Sequence, residues 1–263
     1  MMAPSLATRI VAWSVYAFML TPLVVIILLS FGERSYFELP PSDFSIKWYV
    51  RAWESGTFLM PAIRSLSLGV SATVVSAIMA LGAGMGMRSM RSQRSIWLLE
   101  LVFLSPLIVP HLILGIALLH FFSPIGLIDT YVGLLAAHVT LVFPFLFRTV
   151  LVSIQNLNPR LEEASELLGA SPLMTFRLVV FPALIPGIVA GAILGLIVSF
   201  DQFTVSLLVT QREQVTLPVA IYKYLYDTND PVVAAVSTVL VIVGFSLTLA
   251  LQRLGRFGRS LPG

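Results

Sequence analysis

"NPRLEEASELLGASPLMTFRLVVFPALIPG", residues 158–187, reads as two short helices separated by a single glycine. Asn158 is a good N-cap and Pro159 suits a first helical position, so a helix is predicted over "RLEEASELL". Gly169 breaks it, and Ser171 with Pro172 repeats the cap-and-proline start for "LMTFRLVVF". On the first helix Leu161, Ala164 and Leu168 share one face, while Glu162, Glu163 and Glu166 take the rest. A short amphipathic helix of this kind lies on lipid headgroups or fits a groove in another protein. Helices that lie on anionic lipid favour Lys and Arg, yet this one has three glutamates against Arg160, so a protein groove is preferred.

The stretch is set in a chain with almost no other polar decoration. Hydrophobic residues make up 57% of the sequence and charged residues 11%, against about a quarter charged in soluble domains. Mean hydropathy is +0.94. Six apolar segments, at 10–30, 62–87, 96–122, 131–153, 183–208 and 232–251, predict an all-α membrane protein of six transmembrane helices. The first has too long an apolar run, and no small-residue cleavage site, for a signal peptide, so it is read as an uncleaved span. Cysteine is absent, which excludes disulfides and thiolate chemistry; His111, His120 and His138 lie in apolar stretches without metal-ligand spacing.

Orientation follows from the basic residues. With a cytoplasmic N-terminus, that side holds Arg9, Arg88, Arg91, Arg94, Arg148, Arg160, Arg177, Arg253, Arg256 and Arg259, 10 of the 16. Arg34, Lys47, Arg51, Arg64, Arg212 and Lys223 face the other way, among most of the acids. The prediction is N-in, C-in, and the basic pI reports topology rather than nucleic-acid binding. "GAGMGM" (82–87) is no phosphate loop, since neither a Lys-Ser or Lys-Thr pair nor a strand accompanies it; the chain therefore should not bind ATP itself. Small residues at four-residue spacing, Gly82 and Gly86 and then Gly187, Gly191 and Gly195, predict close helix packing in lipid. Glu100 is expected to pair with Arg94 at the interface, and Asp227, Asn229 and Asp230 to serve the loop and helix start before Pro231.

"EAS", three residues, Gly169, nine residues and "VVFP" together resemble the signature loop of the permease subunits of bacterial ABC importers, Glu-Ala-Ala, three residues, Gly, nine residues, Ile-x-Leu-Pro. Glu163, Ala164, Ser165, Gly169, Val179, Phe181 and Pro182 fill the pattern, with Ser165, Val179 and Phe181 departing conservatively. "FSIKWYVRAW", "FDQF" and "LPVAIYKYLYDTNDPVVAAVST" (217–238) are similar to the second permease of the polyamine and opine-type group. The resemblance implies a type I importer permease fold in the bacterial inner membrane. Residues 1–61 would form an N-terminal transmembrane helix plus an outer amphipathic segment, and 62–263 the core permease domain with its coupling loop at 154–182. Implied partners are two copies of an ATP-binding subunit holding ATP and Mg, a second permease as homodimer or heterodimer, a periplasmic solute-binding protein and membrane lipid. Glu163, Ala164, Ser165, Gly169 and Pro182 would couple to the ATPase; no catalytic residue and no cofactor are implied for this chain.

Asp201, in "VSFDQFTVSL", is the one acid well inside an apolar run, where lipid exposure is costly. It is expected to face a cavity and, with Gln202, to contact an amine-bearing solute, or to be a structural carboxylate paired with another helix. Phe200 flanks it, as gate or packing, and His111 in "LIVPHLILG" either lines the path or is a satisfied interior histidine. The polyamine pattern has two consecutive acids at the Asp201 position and another in span three; Gln202 and His111 stand there instead, favouring a solute with one amine or mixed charge. Two other function classes compete: a secondary carrier using Asp201 for proton or cation coupling, and a membrane enzyme, for which no nucleophile, metal or phosphate motif speaks.

Overall fold

The computed structural model describes residues 5–41, 43–228 and 230–259, the stretch 247–259 by its backbone alone. Asn229 and the side chains of Arg253, Arg256 and Arg259 lie outside the described residues. Helices α1 (Leu6–Ser30), α2 (Lys47–Glu54) and α3 (Leu59–Arg88) are followed by α4 (Gln93–Leu104), one 3-10 turn (Ser105–Leu107) and α5 (His111–Phe122). Then come α6 (Tyr131–Gln155), α7 (Pro159–Leu167), α8 (Pro172–Thr175), a π-turn (Phe176–Val180), α9 (Phe181–Asp201), α10 (Thr204–Val209), α11 (Leu217–Thr228) and α12 (Val232–Arg259). The only β feature among the described residues is an antiparallel bridge between Gly32 and Phe44.

Among the described residues, four helical stretches are long and apolar enough to cross a membrane: α1, α3, α6 and the composite Pro172–Asp201. The third predicted span is broken. Its two halves, Gln93–Leu107 and His111–Phe122, are bent by 100°, and they make a fifth crossing only if taken together. Pro110 explains the break, because it pushes Val109 out of the helical region and cannot donate to the preceding turn. The sixth predicted segment is α12, whose described apolar part, Val232–Ser246, is shorter than a full span.

Residues Met60–Ala220 form one compact unit, and residues up to Leu59 together with those from Ile221 form another. In the first, α6 runs along α9 with α3 beside them. In lipid no hydrophobic drive holds helices together, so contact depends on how closely backbones approach. Gly191 and Gly195 supply that approach: a Cβ at Gly191 would meet Leu146 Cα at 3.1 Å, and one at Gly195 would meet Val142 Cγ1 at 2.6 Å. Gly82 and Gly86, expected to pack in the same way, face open space; Gly84, on the other side of α3, meets Ile154 instead. The core continues through Phe143 and Phe147, stacked at 5.6 Å with Phe103 edge-on to both.

In the second unit α12 packs against α1 and α2. The Trp48 indole of α2 donates to Gly32 O (2.5 Å), and the Ser30 and Tyr49 hydroxyls lie 2.6 Å apart. Asp230 starts α12 by accepting from Val232 N at 3.2 Å, as expected for a helix start, and also takes the Tyr224 hydroxyl (3.1 Å) and Arg51 (3.5 Å).

Candidate functional site

Both predicted caps of the 158–187 stretch are present. Asn158 Oδ1 accepts from Arg160 N at 3.1 Å, and Ser171 Oγ from Met174 N at 3.4 Å. Between them α7 ends in a Schellman turn: Gly169 N donates to Glu166 O (2.8 Å) and Ala170 N to Ser165 O (3.1 Å). That motif needs a left-handed residue after the helix, and Gly169 has φ +84°. Ser165 lies 3.0 Å from the Thr175 hydroxyl, tying α7 to α8.

The two faces of α7 have different surroundings. Its sheltered side is polar: Ser165 meets Thr175, and Glu162 turns inward to Arg88, with Oε1 2.6 Å from Nη1. The approach lacks hydrogen-bond alignment, so charge alone holds that oxygen. The apolar side faces out. Leu167 and Leu168 are each 89% exposed and Leu173 is 75% exposed, beside exposed Glu163 and Ala164. Burying such a leucine is worth about 1.5–3 kcal/mol, so this knob of leucines gains by being covered.

From α8 the chain continues as one helical rod to Asp201, 30 residues and about 45 Å long. Pro182 and Pro186 cannot donate to the carbonyls one turn back, and the wide π-turn takes up the misfit just before Pro182, which is itself exposed. The rod ends sooner than the predicted span at 208. Asp201 is the last residue of α9, Gln202 turns extended (ψ 105°), and α10 restarts at Thr204. Asp201 is exposed and makes no hydrogen bond or ion pair among the described residues. Gln202 is buried, and its Nε2 has no partner among the described residues. Phe200 is half-buried; His111, exposed, opens α5, and no bond joins it to Asp201 or Gln202.

A further residue acts at this break, in a role that the spacing of the histidines does not mark. His138 of α6, fully buried, lies between α9 and α10: Nδ1 is 2.7 Å from Ser199 Oγ and Nε2 is 3.0 Å from Ser206 Oγ. Ser206 Oγ donates its proton to Gln202 O at 2.8 Å. It must then accept from His138 Nε2–H, which leaves Nδ1 to accept from the Ser199 hydroxyl. The imidazole thus clasps the helix on both sides of the break. Ser199 and Ser206 stand seven residues apart in an apolar run, which was the only linear hint.

Asp129, at φ +58°, holds a second loop. Its carboxylate accepts from the backbone N–H groups of Gln211, Arg212, Glu213 and Gln214 at 3.0–3.2 Å. Burial pushes this carboxyl up, but the four N–H donors outweigh it and hold it at about 2. Glu100, expected to pair with Arg94, instead lines an open cleft of about 440 Å³ between α3, α4 and α6.

Residues 77–257 match the family described as "Binding-protein-dependent transport system inner membrane component". The chain is 29% identical over 244 residues to the spermidine/putrescine transport system permease protein PotC of Escherichia coli, covering 92% of this chain and 91% of that one. It is 27% identical to PotC of Haemophilus influenzae (92% and 93% covered). PhnV of Salmonella typhi, named as a 2-aminoethylphosphonate transport system permease protein, is 28% identical (91% and 90% covered). Among solved structures, a chain of a bacterial ABC transporter involved in the import of the acidic polysaccharide alginate superposes with TM-score 0.73 at 17% identity, covering 96% of this chain and 99% of that one. A chain of an amino acid ABC transporter gives 0.58 at 19% identity (81% and 98%).

Proposed function

Because this chain belongs to the binding-protein-dependent transport inner membrane components, and is thereby the permease subunit of an ABC importer, we propose that it moves a small amine-bearing solute inward across the bacterial inner membrane. The secondary-carrier reading gives way to the family assignment. What supports the choice of solute is Asp201, an unpaired carboxylate where the α9 rod breaks. The solutes in the relatives' names, spermidine, putrescine and 2-aminoethylphosphonate, have a primary amine in common. One carboxylate complements one ammonium, while Gln202 and His111 in place of further acids favour a solute with one amine or mixed charge over a polycation.

Coupling runs through residues 158–182. The exposed leucine knob of α7–α8 seats in a groove of a separate ATPase, present in two copies, which holds ATP and Mg. Glu163 orients that contact, and Gly169 makes the turn that projects it. Closure of the ATPases displaces the knob, and the continuous α8–α9 rod carries the displacement to the break at Asp201 and Gln202, exchanging inward for outward access. A second permease completes the path, and a periplasmic binding protein delivers the solute. His138 keeps the break in shape.

The test is uptake in proteoliposomes holding the complete importer, with radiolabelled putrescine, spermidine and 2-aminoethylphosphonate, and a neutral sugar for comparison. ATP-dependent uptake of at least one amine but not of the sugar is expected. Uptake of the sugar alone overturns the solute assignment.

A further inference from the structure

We infer that Arg88 and Glu162 form a strut that delivers the movement of the loop to a second rod, α3, in parallel with the covalent route through α9. The inference rests on the coupling reading above and adds to it a mechanical partner within the chain. Arg88 ends α3 and Glu162 lies in the first turn of α7, 74 positions further on; their charged atoms meet at 2.6 Å. Both side chains are mostly shielded, 30% and 24% exposed, so the pair is less screened than a surface ion pair.

Apolar packing does not replace this contact. The apolar residues of α7 face away, and the open cleft lined by Gly84, Met87, Arg88, Leu157 and Pro159 lies between the end of α3 and the start of α7. Ser165 bonds only within the loop, to Thr175. Ser165 thus ties α7 to the start of the α8–α9 rod, and the ion pair is its polar link to α3. Helical periodicity puts Glu162 and Glu163 on one polar face; the structure turns Glu162 inward to α3 and leaves Glu163 exposed.

The link matters further along α3, at Gly69. A Cβ at Gly69 would meet Leu196 Cδ1 at 3.0 Å and Ser199 Oγ at 3.6 Å, so α3 lies against the last turns of α9, immediately before Asp201. Gly69 is 19 residues from Arg88, about 28 Å along the helix. The two rods thus meet twice: the loop joins them at one place, and close packing at Gly69 at another. With the strut in place a displaced loop moves α3 and α9 together. Without it the loop pulls on α9 alone, and the motion is spent on sliding α9 past α3.

The test uses the whole importer in proteoliposomes and compares Arg88→Glu, Glu162→Arg and the double exchange. Each single variant should still associate with the ATPase and hydrolyse ATP, while putrescine or 2-aminoethylphosphonate moved per ATP falls at least about fivefold. The double exchange, which restores the pair with signs reversed, should recover most of that loss. Normal transport per ATP in the single variants overturns the strut, as does a double variant that assembles but stays uncoupled. Loss of ATPase association in the single variants also overturns it, because the pair would then merely shape the docking surface. Glu163→Lys reports separately on the coupling reading, since intact ATPase association there would remove that reading. Should Arg88→Glu fail to insert, Arg88→Gln carries the same expectation and the same refutation. If the unmodified complex moves neither solute, spin labels at Leu66→Cys and Leu194→Cys, exposed on α3 and α9 of a chain with no native cysteine, serve instead. ATP should change their separation only when the strut is broken, and an identical response with and without it ends the proposal.

Discussion

Replacing Gly169 tests the loop most directly, because its backbone and its surroundings make opposite demands. Its φ is +84°, a conformation that costs an L-residue about 1–2 kcal/mol. Yet nothing lies within 4 Å of where a Cβ would stand, so no collision adds to that figure. The turn is exposed, so the strain is relieved by opening the Schellman bonds rather than by unfolding the helices beneath. One to two kcal/mol corresponds to a five- to thirtyfold factor, so Gly169→Ala should weaken binding of the purified ATPase to the nanodisc-embedded permease by about that much. Gly169→Asn should lose less, since Asn tolerates the left-handed region. Gly169→Pro should lose more, because its φ is fixed near −65° and the N–H that reaches Glu166 O disappears. Amide exchange at Ala170, whose N–H closes the turn on Ser165 O, should speed up in the same order without any ATPase present. If Asn is no better than Ala, or if Pro leaves both measurements unchanged, the turn does not depend on positive φ and the argument fails.

Three further outcomes are expected. Asp201→Asn should insert and assemble with basal ATP hydrolysis intact but lose amine uptake; failure to assemble would make the carboxylate structural, and normal uptake would make it incidental. Gly191→Ala should destabilise the α6–α9 pair in detergent unfolding by about 1–3 kcal/mol, because the new methyl presses on Leu146 Cα and the Thr149 hydroxyl, whereas Gly82→Ala, facing open space, should be neutral or stabilising. A shared response of the two glycines would refute the packing assignment. Asp129→Asn should release the 211–214 loop, seen as faster amide exchange there by roughly tenfold or more. Since the folded carboxyl sits at about 2, below its ordinary 3.8, its contribution is complete above about pH 4 and is lost only as pH falls through 2. Exchange in the unmodified loop that accelerates already between pH 7 and 5 would contradict that.

Much of this molecule was legible along the chain because lipid makes local rules strict. Every backbone group in a span must be satisfied within its own helix, so apolar length alone locates α1, α3, α6 and α9. Caps and breakers act over four residues or fewer, and Asn158, Gly169 and Ser171 therefore behave as read. What the linear pattern left open was direction. Leu161 and Leu168 marked an apolar face, but whether it points into the protein or away depends on what α7 meets across space, and Arg88 settles that by drawing Glu162 inward. Gly191 packs and Gly82 does not, though both belong to the same four-residue spacing, because among the described residues α9 has a neighbouring helix on that side and α3 at Gly82 does not. The break after Asp201 and the clasp of His138 are of the same kind. A prolonged apolar run allows a helix to continue; partners 61 and 68 residues away, Ser199 and Ser206, hold the two sides of the break where it stops. Periodicity and capping are properties of neighbours in sequence, while facing, pairing and interruption are decided by groups that meet only once the helices have packed.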